Sequence, residues 1–502
     1  MSGGLAGLSL WFAAGSQDLY GEEVLATVDS DAREIAAALD GAPQIPLAVR
    51  AQPVVKSADA IRRLCLEANA DDSCAGLILW MHTFSPAKMW IAGLRVLRKP
   101  LLHLHTQHAA ALPWSAIDMD YMNTHQSAHG DREFGFIETR MGVARKTVVG
   151  SWQDPATRER IGRFARAAGG WAQAQRLTVA RLGDNMRQVA VTEGDKVEAQ
   201  MRLGVSVDGY GVGELADAVA DASEGAVAEL IGAYESQYEL APELRDGGAR
   251  RESLVDAARI EAGLRAFLAE RGALAFTDTF EDLHGLRQLP GIAAQRLMAD
   301  GFGFGAEGDW KTAALLRIAK VMAEGLDGGT SFMEDYTYDL AGDESLVLGS
   351  HMLEVCPSIA AAQPRCEVHP LSIGGREDPV RLVFDAATGP AIVFAILDLG
   401  ERFRMVANAI DVVEPPHALP RLPVARAVWK PRPSFAAAAE AWLTAGGPHH
   451  TVYSTALDME TIEDFARIAG IELLVIDEDT RLRDFANELR WNETSYRLAQ
   501  SR

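Results

Sequence analysis

The sequence predicts an α/β protein: two doubly wound α/β domains followed by a β-rich, antiparallel, barrel-like C-terminal domain. Three observations carry this expectation. Short apolar runs alternate with helical patterns up to about Thr106, and a second alternation of the same kind runs from Leu177 to Phe280. After Gly328-Gly329 the character changes to short strands separated by turn signals. A chain of 502 residues is too long for one hydrophobic core. The changes of pattern set the expected domains at 1–177, 178–328 and 329–502.

In order along the chain, LSLWFAA (Leu8 to Ala14) reads as a first β-strand and not as a signal peptide, since no basic residue precedes it and it is too short to span a bilayer. A helix over Glu22 to Leu39, the strand IPLAV, a helix over Ala58 to Ala70, the strand AGLILWM, a helix over Ala87 to Leu97 and the strand PLLHLH complete a βαβ series with a parallel sheet. In such sheets ligands sit beyond the carboxyl ends of the strands, which here carry GSQDLYG, HTFSP and HTQ. The second domain follows a helix around Arg158 to Ala174, with strands in LTVARLGDNM and ALAFTDTF. The third contains TSFMEDYTYDL, SLVLGSHML, PVRLVFDA, AIVFAILDL and RFRMVANAIDVV, and closes with helices near Ala436 to Leu443 and Met459 to Ile468.

Composition removes several function classes. Lys plus Arg is 48 against 70 for Asp plus Glu, and the formal net charge of −22 repels phosphate backbones and anionic lipid heads. Nucleic-acid and membrane partners are therefore excluded, and no apolar run is long enough to span a bilayer. Cys65, Cys74, Cys356 and Cys366 show neither CxxC spacing nor disulfide density, as expected of a reducing, cytoplasmic compartment.

The densest polar signal is GFGFGAEGDWKTAALLRIAKVMAEGL (Gly301 to Leu326). Asp309 is placed to N-cap a helix whose apolar face uses Ala313, Leu316, Ile318 and Met322, with Gly325 or Gly328 ending it. Glu307 then lies in a glycine-rich turn at the positive end of that helix. The turn lacks GxxxxGK[ST], and its carboxylate would repel phosphate, so no nucleotide is expected there. Next, a two-residue turn at Gly342-Asp343 would pair Glu334 directly with His351 and Tyr336 with Gly349. That register brings the Glu334 and His351 Cβ atoms to roughly 4.5–5.5 Å on one face, as two ligands of one metal require. GGPHHT adds His449 and His450, of which strand alternation sends only one toward a shared site. Carboxylate and imidazole donors without thiolate suit Mn²⁺, Co²⁺ or Mg²⁺ better than a structural zinc.

The blocks GSQDLYGEE, LWMHTFSPAKMWI, HTQ, ALPWSAIDMDYMN, QSAHGDREFGF, GDNMRQVAVTEGDKV, TFEDLHGLRQLPG, EGDWKTAALLRI, GGTSFMEDYTY, VLGSHMLEVCPSI, GPAI, AGGPHHT and DTRL occur in one order along the chain. With them the sequence resembles L-arabinose isomerase along nearly its whole length. The resemblance implies two α/β domains and a β-rich C-terminal domain. It implies a divalent ion, Mn²⁺ before Co²⁺ or Mg²⁺, on Glu307, Glu334, His351 and His450, with no nucleotide or redox cofactor. It also implies a sugar pocket containing Gln17, Leu19, Tyr20, Phe84, Gln126, Met186, Phe280 and Ile373, and a homohexamer whose active site is completed across subunits. Two departures lie near that pocket: Asp18 stands where the family often has His, and His108-Ala109 where an aromatic residue and Asn are common after HTQ.

The implied reaction is aldose–ketose isomerisation of L-arabinose to L-ribulose. Glu307 and Glu334 would shuttle protons through a cis-enediol, and a hydride shift is the rival route. Two other functions fit parts of the pattern. One is a related sugar isomerase acting on D-galactose or L-fucose. The other is a non-catalytic sugar-binding regulatory protein, which has no need of Glu307 or Glu334.

Overall fold

The computed structural model describes residues 4–341, 344–371 and 373–500. The expected turn residues Gly342 and Asp343 lie outside them. Up to Ala172, together with Glu460–Gly470, the chain forms one compact unit; residues 173–459 and those from Ile471 onward form a second.

The first unit is built on a parallel five-stranded sheet of β1 (Ser9–Ala14), β2 (Ala48–Ala51), β3 (Cys74–Trp80), β4 (Leu101–His105) and β5 (Lys146–Val149), in the order β2-β1-β3-β4-β5. β1 and β3 are buried along their whole length, as a sheet covered by helices on both faces demands. The helices Gly21–Asp40 and Ala58–Ala70 stand where the periodicity puts them; Ser57 caps the second by accepting from Ala60 N–H at 3.3 Å. The expected helix over Ala87 to Leu97 is shorter: a 3₁₀ turn Ala87–Trp90 runs into the single helical turn Ile91–Leu94. The helix Met459–Ala469, expected in the C-terminal domain, places its residues from Glu460 onward in this unit. The physical reason is Lys146, which opens β5 and is 4% exposed: it needs counter-charges, and Glu460 at 3.0 Å and Asp464 supply them.

The second unit contains β6 (Thr178–Leu182), β7 (Ser206–Tyr210), the two-residue β8 (Glu239–Leu240), β9 (Ala275–Asp278) and β10 (Gly303–Gly305). Of these, β10-β9-β6-β7 form a parallel sheet with flanking helices. The β-rich region follows: β11 (Thr330–Asp339), β12 (Leu346–Ser350), β13 (Arg365–Val368), β14 (Val380–Val383), β15 (Gly389–Asp398), β16 (Phe403–Val413), β17 (Arg426–Pro431), β18 (His450–Ser454) and β19 (Glu472–Ile476). Strands β15-β18-β11-β12-β17-β16 pair antiparallel in that order, and β16 pairs back onto β15, closing a six-stranded barrel; β19 joins β16 in parallel. Closure removes the edges an open sheet would expose. Strands β14 and β13 form a smaller sheet with β8.

The β11–β12 register departs from the sequence expectation. Near the turn the pairing is as expected, with Thr337 opposite Leu348 and Tyr338 opposite Val347. A bulge between Asp335 and Thr337 then leaves Tyr336 unpaired, and Glu334 faces Ser350, not His351. Gly349 faces Asp335, and the ring over it belongs to Trp429: a Cβ there would lie 2.0 Å from that ring. The register is decided by two neighbours at once, because β12 is also fixed to β17 by Gly349 opposite Ala427 and β11 to β18 by Glu334 opposite His450.

Candidate metal and sugar site

Glu307 sits in the turn between β10 and the helix Trp310–Met322, at φ +60°, a left-handed conformation uncommon outside glycine. Met186 N–H donates to its carbonyl at 3.0 Å, and Gly308 N–H donates to the Asp278 carbonyl at 3.0 Å. Gly308 is required: its φ is +81°, and a Cβ there would lie 2.5 Å from Asn185 Cα. Asp309 is the N-cap expected from sequence, accepting from Thr312 N–H at 3.3 Å and Thr312 Oγ1–H at 2.7 Å. The helix it starts is buried on nearly every side, not on one face only, and ends at Met322 ahead of both glycines proposed to stop it.

Glu334 and His450 are directly opposite on β11 and β18, so their side chains share a face. His351 follows the end of β12 and brings Nε2 to 4.0 Å from Glu334 Oε2. His450 Nε2 lies 3.9 Å from Glu307 Oε2. Glu307, His351 and His450 each offer a ligand atom within 4.8 Å of the others. Beneath the two imidazoles lies Phe332, fully buried, with ring centroids 5.1 Å from His351 and 5.0 Å from His450. The site therefore has a dry floor.

Two carboxylates that sequence reasoning left without this role orient the imidazoles. Glu354 Oε2 is 2.5 Å from His351 Nδ1, and Asp309 Oδ2 is 3.1 Å from His450 Nδ1. With Nδ1 engaged, each ring presents Nε2 to the site, and His450 Nε2 is buried with no hydrogen-bond partner among the described residues. An orphaned imidazole nitrogen facing a carboxylate and a second imidazole fits a divalent cation with mixed N and O donors. Burial favours the neutral ring of His351, but the Glu354 carboxylate outweighs it and raises its pKa. Burial would likewise raise Asp309, yet Lys311 and His450 hold it well below the usual carboxylate range. The only sequence signal for Glu354 is its position three residues after His351.

His449 corrects the alternation argument. It precedes the first residue of β18, so period two does not bind it, and its Nε2 reaches 3.8 Å from Glu307 Oε2. The facing His449 ring holds the Glu307 carboxyl below its ordinary range despite burial. Its side chain is 36% exposed, against none for His450. Asp278 was also missed: burial, reinforced by Glu354, pushes its carboxyl up to about 7, and it lines a small cavity with Phe280, Glu307 and His351.

The expected sugar-pocket residues fall into two groups, one in each unit. In the first unit Gln17 Nε2–H donates to Phe84 O at 3.0 Å, and Phe84 N–H donates to Tyr20 Oη at 3.1 Å. Gln126 is tied to the same loop by N–H to His82 O at 2.9 Å, and the His129 ring, three residues on, packs tilted against Phe84 with centroids 4.9 Å apart. Leu19 projects outward, 82% exposed. Of the two departures, Asp18 pairs with Lys56 at 2.7 Å and His108 with Glu34 at 3.1 Å. In the second unit Met186 is bonded to the Glu307 backbone and Phe280 lines the small cavity, while Ile373 stands in the loop between β13 and β14.

Three sequence profiles match in order: the L-arabinose isomerase N-terminal domain over residues 5–176, the central domain over 178–325 and the C-terminal domain over 329–472. A protein of Arthrobacter sp. (strain FB24) named L-arabinose isomerase is 60% identical over 495 residues, 99% of this chain and 97% of its own. One from Clavibacter sepedonicus with the same name is 60% identical, covering 98% and 97%, and one from Geobacillus stearothermophilus 58%, covering 97% and 98%. The chain belongs to the L-arabinose isomerase family, whose members are aldose–ketose isomerase enzymes.

Proposed function

We propose that the protein interconverts L-arabinose and L-ribulose, using one divalent cation per subunit, Mn²⁺ before Co²⁺ or Mg²⁺. The observation that carries this reading is the convergence of Glu307, His351 and the orphaned His450 Nε2 above Phe332, with Glu334 at the rim. Those four residues would hold the cation, which when bound polarises the sugar carbonyl and acidifies the neighbouring C–H.

The chain's own groups do the rest. Glu354 and Asp309 keep both imidazoles turned so that Nε2 faces the sugar site. His449 keeps Glu307 ionised and able to accept a proton. Glu307 and Glu334 act as the acid/base pair, moving one proton between C1 and C2 and another between O1 and O2 through a cis-enediol. Phe332 excludes water from the floor, which protects the enediol from exchange with solvent. In the second unit Met186, Phe280 and Ile373 supply the apolar wall, while in the first unit Gln17 and Gln126 offer amides to sugar hydroxyls, with Leu19, Tyr20 and Phe84 as their apolar neighbours. Leu19 is 82% exposed within one chain, which accords with a homohexamer in which a neighbouring copy covers it. With a net charge of −22 and no helix among the described residues long and apolar enough to cross a membrane, a neutral sugar in the cytoplasm is the fitting partner.

The test is metal-stripped protein incubated with L-arabinose and single divalent ions, with ketose assayed, followed by D-galactose and L-fucose. Turnover of L-arabinose that returns with Mn²⁺ is expected. Full activity in chelator, or a faster reaction with either of the other sugars, would overturn the reading.

A further inference from the structure

A cavity of about 420 Å³ in the first unit lies at the amino ends of β4 and β5, away from the strand ends that carry Gln17, Phe84 and Gln126. Its size falls within the range of small-molecule sites. In a chain of net charge −22, its lining holds Arg95, Arg98, Lys99, Arg145, Lys146 and Arg467 against the single carboxylate of Asp464.

The cations are not equivalent. Lys146 is neutralised by Asp464 and Glu460, Arg145 is 2.9 Å from Glu138, and Arg467 donates to Asp464 at 2.8 Å. Arg95 and Arg98 are exposed and make no ion pair among the described residues. They lie three residues apart just past the helical turn Ile91–Leu94; a guanidinium fork matches carboxylate and phosphate alike, and a phosphate monoester, with close to two negative charges, can take two forks at once. Charge is only half of the lining. Leu97, Met141, Ile468 and the half-buried Trp171 give the cavity an apolar wall that inorganic phosphate would leave unused.

We propose that this cavity binds a small organic phosphate carrying a flat ring, of the nucleoside monophosphate class, with the phosphate on Arg95 and Arg98 and the ring against Trp171 and Met141. The lining comes from four separate stretches of chain, around residues 94–101, 141–146, 164–171 and 464–468. A ligand bound there ties the helix Met459–Ala469 to β4 and β5, so binding raises the unfolding temperature by linkage.

The probe is adenosine 5′-monophosphate added to the full-length protein, with adenosine and inorganic phosphate as separate arms, read by calorimetry and thermal unfolding. One AMP per chain is expected, with adenosine and phosphate each at least about tenfold weaker. The double variant Arg95→Ala/Arg98→Ala should weaken AMP by at least about tenfold. Arg62→Ala/Arg63→Ala, which removes the same charge from an exposed helix face of the same unit, should leave the affinity within about twofold. No heat with millimolar AMP would overturn the proposal. So would phosphate binding as tightly as AMP, equal losses in the two double variants, or AMP affinity unchanged when Arg95 and Arg98 are removed.

Discussion

Two buried clusters of histidine and carboxylate, one in each unit, use the same residue types to opposite ends. In the first, His103 is bonded through both ring nitrogens, Nε2 to Asp131 at 2.9 Å and Nδ1 to Glu138 at 2.8 Å. In the second, His351 and His450 are each bonded through Nδ1 only, to Glu354 and Asp309. A histidine whose two nitrogens are both engaged has nothing left for a ligand and serves as a charged post for two buried carboxylates. One held through Nδ1 keeps Nε2 aimed and available, which is how metal-binding imidazoles are mounted. Residue type and burial therefore do not separate the two clusters; the number of engaged nitrogens does.

The largest effects should come from the second cluster. Glu307→Gln and Glu334→Gln are each expected to lower turnover by more than roughly 10³-fold with the fold intact, because an amide accepts no proton and is a weaker cation ligand. Steady-state assays beside thermal unfolding check this. A variant keeping more than about a tenth of the activity would take that carboxylate out of the acid/base pair.

The converse is expected of His103→Gln. Stability should fall by roughly 3–5 kcal/mol, since two buried carboxylates lose the imidazolium they share and only Glu138 keeps another cation, Arg145, while Mn²⁺ affinity stays unchanged. The pH dependence has a definite sign. Burial alone would lower the His103 pKa, but Asp131 and Glu138 raise it to about 9, above its ordinary value. The stabilisation, about 3 kcal/mol, is thus fully present below about pH 6.5 and is lost as pH rises through about 9. Urea unfolding of the wild type and the variant at pH 6 and pH 10 should show the gap closing at the higher pH. A gap that widened would break the comparison.

Smaller effects sharpen the assignments within the proposed metal cluster. Calorimetric Mn²⁺ titration should show losses of about 100-fold or more for His351→Ala and His450→Ala. Asp309→Asn, which keeps a good N-cap but weakens the grip on His450 Nδ1, should lose about 10–100-fold. His449→Ala should lose least, under about threefold in affinity, because it acts on Glu307 from a half-exposed position. If His449→Ala shows the largest loss, His449 replaces His450 as the ligand.

By itself the sequence determined the alternation of strands and helices, the Asp309 cap and the change to short strands after Gly329, because each rests on local periodicity or on one side chain meeting a nearby backbone group. It also set out the chemical inventory of the proposed site, since Glu307, Glu334, His351 and the pair His449-His450 are the residue types a divalent cation takes, with the choice of His450 resting on the family resemblance. Tertiary structure decided how these meet. A hairpin considered alone has one partner and one simplest register, whereas each barrel strand must satisfy two, and the bulge at Tyr336 reconciles β12 with β17 on one side and β11 with β18 on the other. The same holds for Glu354 and Asp309, whose grip on the imidazoles depends on backbone turns with no periodic signature, and for the segment Glu460–Gly470, drawn into the first unit by the buried charge of Lys146, more than 300 residues earlier in the chain.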